Sequence, residues 1–126
     1  MERIASARQA AEARHLLYFI NVRTDTFLFT KADTHESLIS SVIERARAYA
    51  DAGADGFFVP GLADRRLIAR MVEGSPIPLN IMVTDTTPSL RELASLGVAR
   101  VSHGPGPYVA AMAKVQEGAT EAMQMN

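Results

Sequence analysis

The stretch from 19 to 25, "FINVRTD", closes an apolar run on Asn21, Arg23 and Asp25, with only Val22 and Thr24 between them. A guanidinium grips a carboxylate or phosphate through two parallel hydrogen bonds, so Arg23 is a candidate anion anchor. Arg23 could instead do no more than pair with Asp25, and both readings stay open. Asn80 sits inside the apolar "LNIMV", where it either faces a ligand or bonds to a neighbouring loop. Thr84 and Asp85 follow that run. Farther on, "ARVS" leads through Ser102 and His103 into "GPGP". A Gly-rich turn entering a helix can receive an anion on its backbone N–H groups. The plainer alternative is a tight turn at Gly104 and Gly106 beside a solvated His103. Asp25 and Asp85 are the acids nearest these positions, and two isolated carboxylates are a weak magnesium signal. No His-x-x-x-His, Gly-x-x-x-x-Gly-Lys or Gly-x-Ser-x-Gly pattern occurs.

Something must bring these residues together, and the hydropathy pattern says what. Residues 2 to 14 are rich in Ala and Arg and read as a helix. Leu16 to Val22 reads as a buried strand. Asp33 with Glu36 resembles a capping box opening "HESLISSVIERARAYADA", a helix with Leu38, Ile39, Val42, Ile43 and Ala46 on one face and Gly53 at its end. Strands follow at "GFFV" (56 to 59), "LNIMV" (79 to 83) and "ARVS" (99 to 102). Between them lie a helix over "DRRLIARMVEG", capped by Asp64, and one opened by Thr87-Pro88 and closed by Gly97. A last helix runs from about Tyr108 to Met123, with Met112, Val115 and Ala119 as its core stripe. Strands apolar on both faces and separated by helices call for a parallel α/β sheet with right-handed crossovers. Ligands of such sheets bind beyond the carboxyl ends of the strands. Those ends carry Asn21, Arg23 and Asp25; Pro60-Gly61; Thr84 and Asp85; and Ser102, His103 and Gly104. Asp55 stands at the amino end of its strand, away from that face. His15 and His35 lie near helix ends and look ordinary.

Composition narrows the field. The 126 residues fit one domain, 1 to 126, with no linker or composition shift. Thirteen Lys and Arg against 14 Asp and Glu leave a net charge of −1 and no basic stripe, which argues against a nucleic-acid partner. There is no cysteine, hence no disulfide, thiolate nucleophile or cysteine-held zinc. No apolar run reaches the roughly 20 residues that a membrane span needs. Residues 1 to 15 do not resemble a signal peptide. A cytoplasmic protein is the expectation.

Together "FINVRTDTFL", "ERARAYADAGADGFFVPGL", "PLNIMV" and "LGVARVSHGPGPY" resemble, in order and from about residue 2 to 115, the isocitrate lyase/phosphoenolpyruvate mutase superfamily. "NVRTD" resembles the family's Asn-Ala-Arg-Thr-Asp stretch, with Val22 in place of the usual Ala. "GADGFFVPG" is most similar to the branch of phosphonomutases, phosphonopyruvate hydrolases and oxaloacetate-acting enzymes. The family fold is a (β/α)8 barrel, and the resemblance covers only strands five to eight, a half-barrel of four parallel βα units preceded by a helix. It implies a lyase or mutase cleaving or rearranging C–C or P–C bonds in small 2-oxo acids or phosphonates. It implies Mg2+ as cofactor, with the metal-binding carboxylates on the half that has no counterpart here. By the same resemblance Arg23 holds the substrate's carboxylate or phosphoryl group, and Asn21, Asn80, Ser102 and His103 are the further substrate-binding candidates. No catalytic or metal-ligating residue is assigned.

A half-barrel exposes both edge strands and an inner face that is expected to be apolar. Two remedies are available. Two copies could close an eight-stranded assembly, or the sheet could flatten under the helices at 2 to 14 and 108 to 123. The expected partners are therefore a small oxo acid or anion, and either a second copy or a complementary N-terminal half-barrel. The alternative to an enzyme is a non-catalytic half-barrel that self-associates and binds small anions at Arg23.

Overall fold

A computed structural model describes residues 1 to 124. Its elements, in order, are α1 (Glu2–Glu12), β1 (Asn21–Arg23), α2 (His35–Asp51), β2 (Gly56–Phe58), α3 (Arg65–Gly74), β3 (Leu79–Met82), α4 (Leu90–Ser95), β4 (Arg100–Ser102) and α5 (Gly106–Gln124). The four strands make one parallel sheet in the order β1-β2-β3-β4. Each strand is thus followed by a helix and then by its own neighbour in the sheet, the sequential βα winding of a (β/α)8 barrel.

The register separates two faces. Val22 pairs with Phe57, Phe57 with Leu79, and Ile81 with Val101. Paired residues of parallel strands point the same way, and neighbours along a strand point oppositely. Phe57, Leu79 and Ile81 are buried in one cluster with Ile39, Val42 and Ala46 of α2, Leu67, Ile68 and Met71 of α3 and Leu93 of α4. This is the helix-covered face and the core of the molecule. The opposite, inner face carries Asn21 and Arg23, Gly56 and Phe58, Asn80 and Met82, and Arg100 and Ser102. It is therefore mixed and largely polar. The expectation of an apolar inner face is wrong, because once the register is known its positions read mostly polar or small, with Phe58 and Met82 the apolar exceptions.

The helix-covered face is bolted together by capping and ion pairs. Asp64 caps α3 by accepting from the Leu67 N–H at 2.9 Å, as expected. The expected capping box at Asp33 does not form. Residues Ala32–Thr34 make a 3-10 turn, and Glu36 instead crosses to α3, accepting from both Arg66 terminal nitrogens at 2.7 Å. Arg66, with a smaller contribution from Arg70, holds the Glu36 carboxyl below the usual glutamate range. Nor do Thr87 and Pro88 open α4. Ser89 does, in a full capping box with Glu92, while Thr87 Oγ1 donates to the Thr84 carbonyl at 2.8 Å and closes the turn after β3.

Both ends of the sheet depart from the sequence reading. Strand pairing begins only at Ile20, and Leu16 to Phe19, expected to be buried strand, are exposed, Leu17 entirely so. On the other edge α5 has no buried residue, and Met112 (43% exposed), Val115 (63%) and Ala119 do not form part of the core. The cause is shared. A barrel helix packs into the groove between its own strand and the next, and among the described residues no strand pairs with the outer edge of β4. The first strand likewise lacks the preceding neighbour that would cover its start. The alternative in which α5 flattens onto the sheet as a lid is therefore excluded. At the other terminus α1 is tied down by Arg8, which donates to the Gly53 carbonyl at 2.9 Å, to the Tyr18 carbonyl at 3.2 Å and to the Asp55 carboxylate. Asp55 also accepts from the Ile20 N–H at 2.8 Å, so this amino-end acid locks α1, β1 and β2 together.

Candidate functional site

Arg23 is the last residue of β1, and its side chain is 56% exposed. The turn that follows is held from beneath. Thr24, 3% exposed, donates its N–H to the Phe58 carbonyl at 3.0 Å, and its hydroxyl meets that of Thr26 at 2.8 Å. Phe27 is buried in the core and lies against His35, ring centroids 5.0 Å apart. His35, read from sequence as ordinary, is buried, with Nε2 3.3 Å from the Thr30 carbonyl. Gly61 lets the β2 loop pass beneath this turn. Its φ is +89°, and a Cβ there would stand 2.5 Å from the Phe27 carbonyl oxygen. "VPG" after β2 is thus a seat for the loop that carries Asp25.

In this frame Arg23 pairs with Asp25. Its Nε lies 2.8 Å from Asp25 Oδ1, and Nη2 donates to Oδ2 at 3.2 Å. The first contact lacks hydrogen-bond alignment, so Oδ1 is buried without a donor. The guanidinium turns its Nε side toward Asp25, and Nη1 takes no part in the pair. The local pairing read as one possibility in the sequence exists, and it uses only one edge of the fork.

Asn80 is 3% exposed, and its Oδ1 has no hydrogen-bond partner. The neighbouring-loop bond considered for it is not made. It pairs in register with Phe58 on one side and Arg100 on the other. With Asn21, Gly56, Arg100 and Phe19 it lines a concavity of about 420 Å³ on the inner face, toward the amino ends of the strands. Asn21 and Asn80 are thus brought together. Ser102 and His103 are not brought to Arg23; they end β4, at the opposite edge of the sheet. Ser102 Oγ accepts from the Gly104 N–H at 3.3 Å. His103 is exposed, its carbonyl accepting from the Gly106 N–H at 3.1 Å, and Gly104 takes φ +51°. This is the geometry of the tight-turn alternative. Arg100 is the residue the sequence reading missed. The alternation of "ARVS", with Val101 apolar, places Arg100 on the face of Ser102, and that signal was available.

Among the described residues no three His, Asp or Glu side chains gather as a metal-holding set. Asp25 is engaged by Arg23, and Asp85 stands exposed beyond β3. These residues do not by themselves fit a magnesium ion.

Comparison with known proteins places this arrangement. The fold is part of a (β/α)8 barrel, with polar groups at the carboxyl ends of its strands. Residues 1–123 match the family model "Phosphoenolpyruvate phosphomutase", and the chain belongs to that family, within the phosphoenolpyruvate mutase/isocitrate lyase superfamily. A crystal structure described as a "putative phosphonomutase" from Burkholderia cenocepacia J2315 superposes with a TM-score of 0.92 at 50% identity, covering 95% of this chain and 48% of that one. The structure of 2,3-dimethylmalate lyase superposes with a TM-score of 0.70 at 26% identity, covering 94% and 43%. An oxaloacetate decarboxylase of Pseudomonas fluorescens (strain SBW25) is 38% identical over 116 residues, 88% of this chain and 37% of that protein. The chain therefore spans less than half the length of each of these relatives. No helix among the described residues is long and apolar enough to cross a membrane.

Proposed function

We propose that this chain is the substrate-anchoring half of a lyase or phosphonomutase-class enzyme acting on small 2-oxo acids or phosphonates. The observation that carries the proposal is Arg23, exposed at the carboxyl end of a barrel strand with only one edge of its guanidinium taken by Asp25. The other edge is available for a carboxylate or phosphoryl group. Asn21 and Asn80 line the inner face below it, and Ser102 and His103 stand at the opposite edge of the sheet, at the end of β4. Superfamily relatives are generally magnesium-dependent, and the carboxylates for the metal would come from the other half of the barrel. Held there, such a metal would supply Lewis-acid chemistry. This chain's own part is to bind and orient the acid end of the substrate. The same reading places the protein in the cytoplasm.

A second reading is favoured by the separation of Arg23 from Ser102 and His103 and by the absence of a gathered carboxylate set among the described residues. In it the half-barrel is not a catalyst but a self-associating protein that binds small anions at Arg23. Titration calorimetry with oxalate, with and without Mg2+, separates the two. Magnesium-dependent oxalate binding supports an enzyme site completed by assembly. Metal-independent binding that Arg23→Ala abolishes supports the anion binder. No oxalate or phosphate binding by the folded chain rejects Arg23 as an anchor and both readings with it.

A further inference from the structure

We infer that the substrate of this site carries its acid group at one end only, with an apolar carbon body behind it that lies over Phe58 and Met82. The inference rests on Arg23 as the acid anchor and narrows the class of molecule it would hold.

The four strands end on Arg23, Phe58, Met82 and Ser102. The register places all four on the inner face: Arg23 pairs with Phe58, Phe58 with Asn80 two residues before Met82, and Met82 with Ser102. They form one rim, at the end of the barrel where ligands bind. Its order is one cation, two apolar side chains and one hydroxyl. These positions are set by pairings within this chain, whatever stands across the barrel from them.

Phe58 and Met82 are the apolar members of an otherwise polar or small face. Both are partly exposed, and neither belongs to the core cluster or to the apolar residues packed against it. Their burial does not explain them, whereas a ligand body does. Strands stand about 4.8 Å apart, so a molecule held at Arg23 and extended along the rim crosses Phe58 first and then Met82, roughly 5 and 10 Å away. Met82 is also fitted to its place. A Cβ on Gly104 would stand 2.8 Å from the Met82 sulfur, so the bare glycine after β4 makes room for the thioether to lean across. A flexible, polarisable thioether adapts to alkyl groups of different shape.

A second charge on the ligand is disfavoured here. Laid over Phe58 and Met82 it would lose water and gain no partner. Arg23 is the one charged residue of the four strand ends, and the next charged residue beyond β3 is the acid Asp85.

Titration calorimetry of the unmodified chain with pyruvate, 2-oxobutanoate, 2-oxopentanoate and 2-oxoglutarate tests this. The acid end is constant, and the body lengthens or gains a charge. Affinity should rise roughly fourfold for each added methylene, the value of a buried CH₂. 2-Oxoglutarate should bind more weakly than 2-oxopentanoate. Met82→Gln keeps the length of the side chain and makes it polar, and the gain should drop below about twofold per methylene. Gly104→Ala displaces the Met82 sulfur and should flatten the series in the same way, which keeps the test open if Met82→Gln does not fold. A series that is flat in the unmodified chain, a slope unchanged in the folded variants, or tighter binding of 2-oxoglutarate overturns the inference. Oxalate has two acid groups and no apolar body, so it reports on Arg23 alone. Oxalate binding with a flat series leaves the anchor standing and removes the apolar body. No binding of oxalate or of any oxo acid removes both.

Discussion

Arg23 is held by a scaffold more demanding than its own position suggests. The residue that decides where Asp25 sits is Gly61, one strand away. With φ +89° and backbone 2.5 to 2.7 Å from any Cβ, it has no room for a side chain. Gly61→Ala is expected to cost about 2 kcal/mol or more, since a strained left-handed backbone alone costs about 1 to 3 kcal/mol and the clash adds to it. Urea unfolding measures that loss, and oxalate titration of the folded fraction should show weakened binding because the Thr24–Phe27 turn is displaced. Wild-type stability in the variant would mean that the loop moves aside freely and does not position Asp25. Asn80 makes a different prediction. Its carbonyl is orphaned in the single chain, so Asn80→Leu should be neutral or stabilising by up to about 1 kcal/mol in a monomer. A loss of about 1 to 3 kcal/mol instead would show that assembly supplies the missing donor. Both residues show what could be read in advance. "VPG" and the Asn inside "LNIMV" stand out in the sequence, but the passage of Phe27 over Gly61 is a contact between distant segments with no local pattern.

At the scale of elements, the strand-helix alternation was legible from end to end, because four short apolar runs bounded by Gly, Pro and Asp leave little choice. Helix starts were less so. Asp64 capped as read, whereas Asp33 lost Glu36 to Arg66 and Thr87 turned to Thr84. Propensity names the residue able to cap, and tertiary partners choose among them. The Glu36–Arg66 bridge between α2 and α3 carries a pH signature. Its folded-state carboxyl is depressed, so it contributes stability above the ordinary glutamate value near 4.3 and loses it as pH falls through the lower folded value. Glu36→Gln should therefore leave a shallower fall in urea midpoint below about pH 4.3 than the wild type shows. An unchanged slope would mean that the exposed pair is too screened to matter. Arg8→Met tests the opposite corner. It leaves the Gly53 carbonyl and the Asp55 carboxylate without their guanidinium, and hydrogen bonds to charged groups contribute about 1.5 to 3 kcal/mol. The loss should appear as faster hydrogen exchange at Ile20, whose N–H is held by Asp55.

For the whole molecule, the half-barrel reading explains why the elements that were misjudged are the outermost ones. Leu16 to Phe19 and the stripe of Met112, Val115 and Ala119 are apolar as a core should be, and they are exposed because each lies at an outer edge of the four-stranded sheet. The pattern in the sequence is that of a complete barrel, while the chain supplies four strands of it. Side chains of this kind gain roughly 1.5 to 3 kcal/mol each when fully buried. A partner covering even a few of them would contribute a sizeable share of the stability a domain of this size has. On the self-associating reading, stability depends on protein concentration, since unfolding would release two chains together. A hundredfold dilution costs such a dimer about 2.7 kcal/mol, and with an unfolding entropy typical of two chains this length the Tm should fall by about 5 °C. Calorimetry over that range checks it. A Tm independent of concentration would show that the four strands, their open edges and their exposed apolar flanks are stable alone, and the site at Arg23 would then have to work, if at all, as half of a mouth.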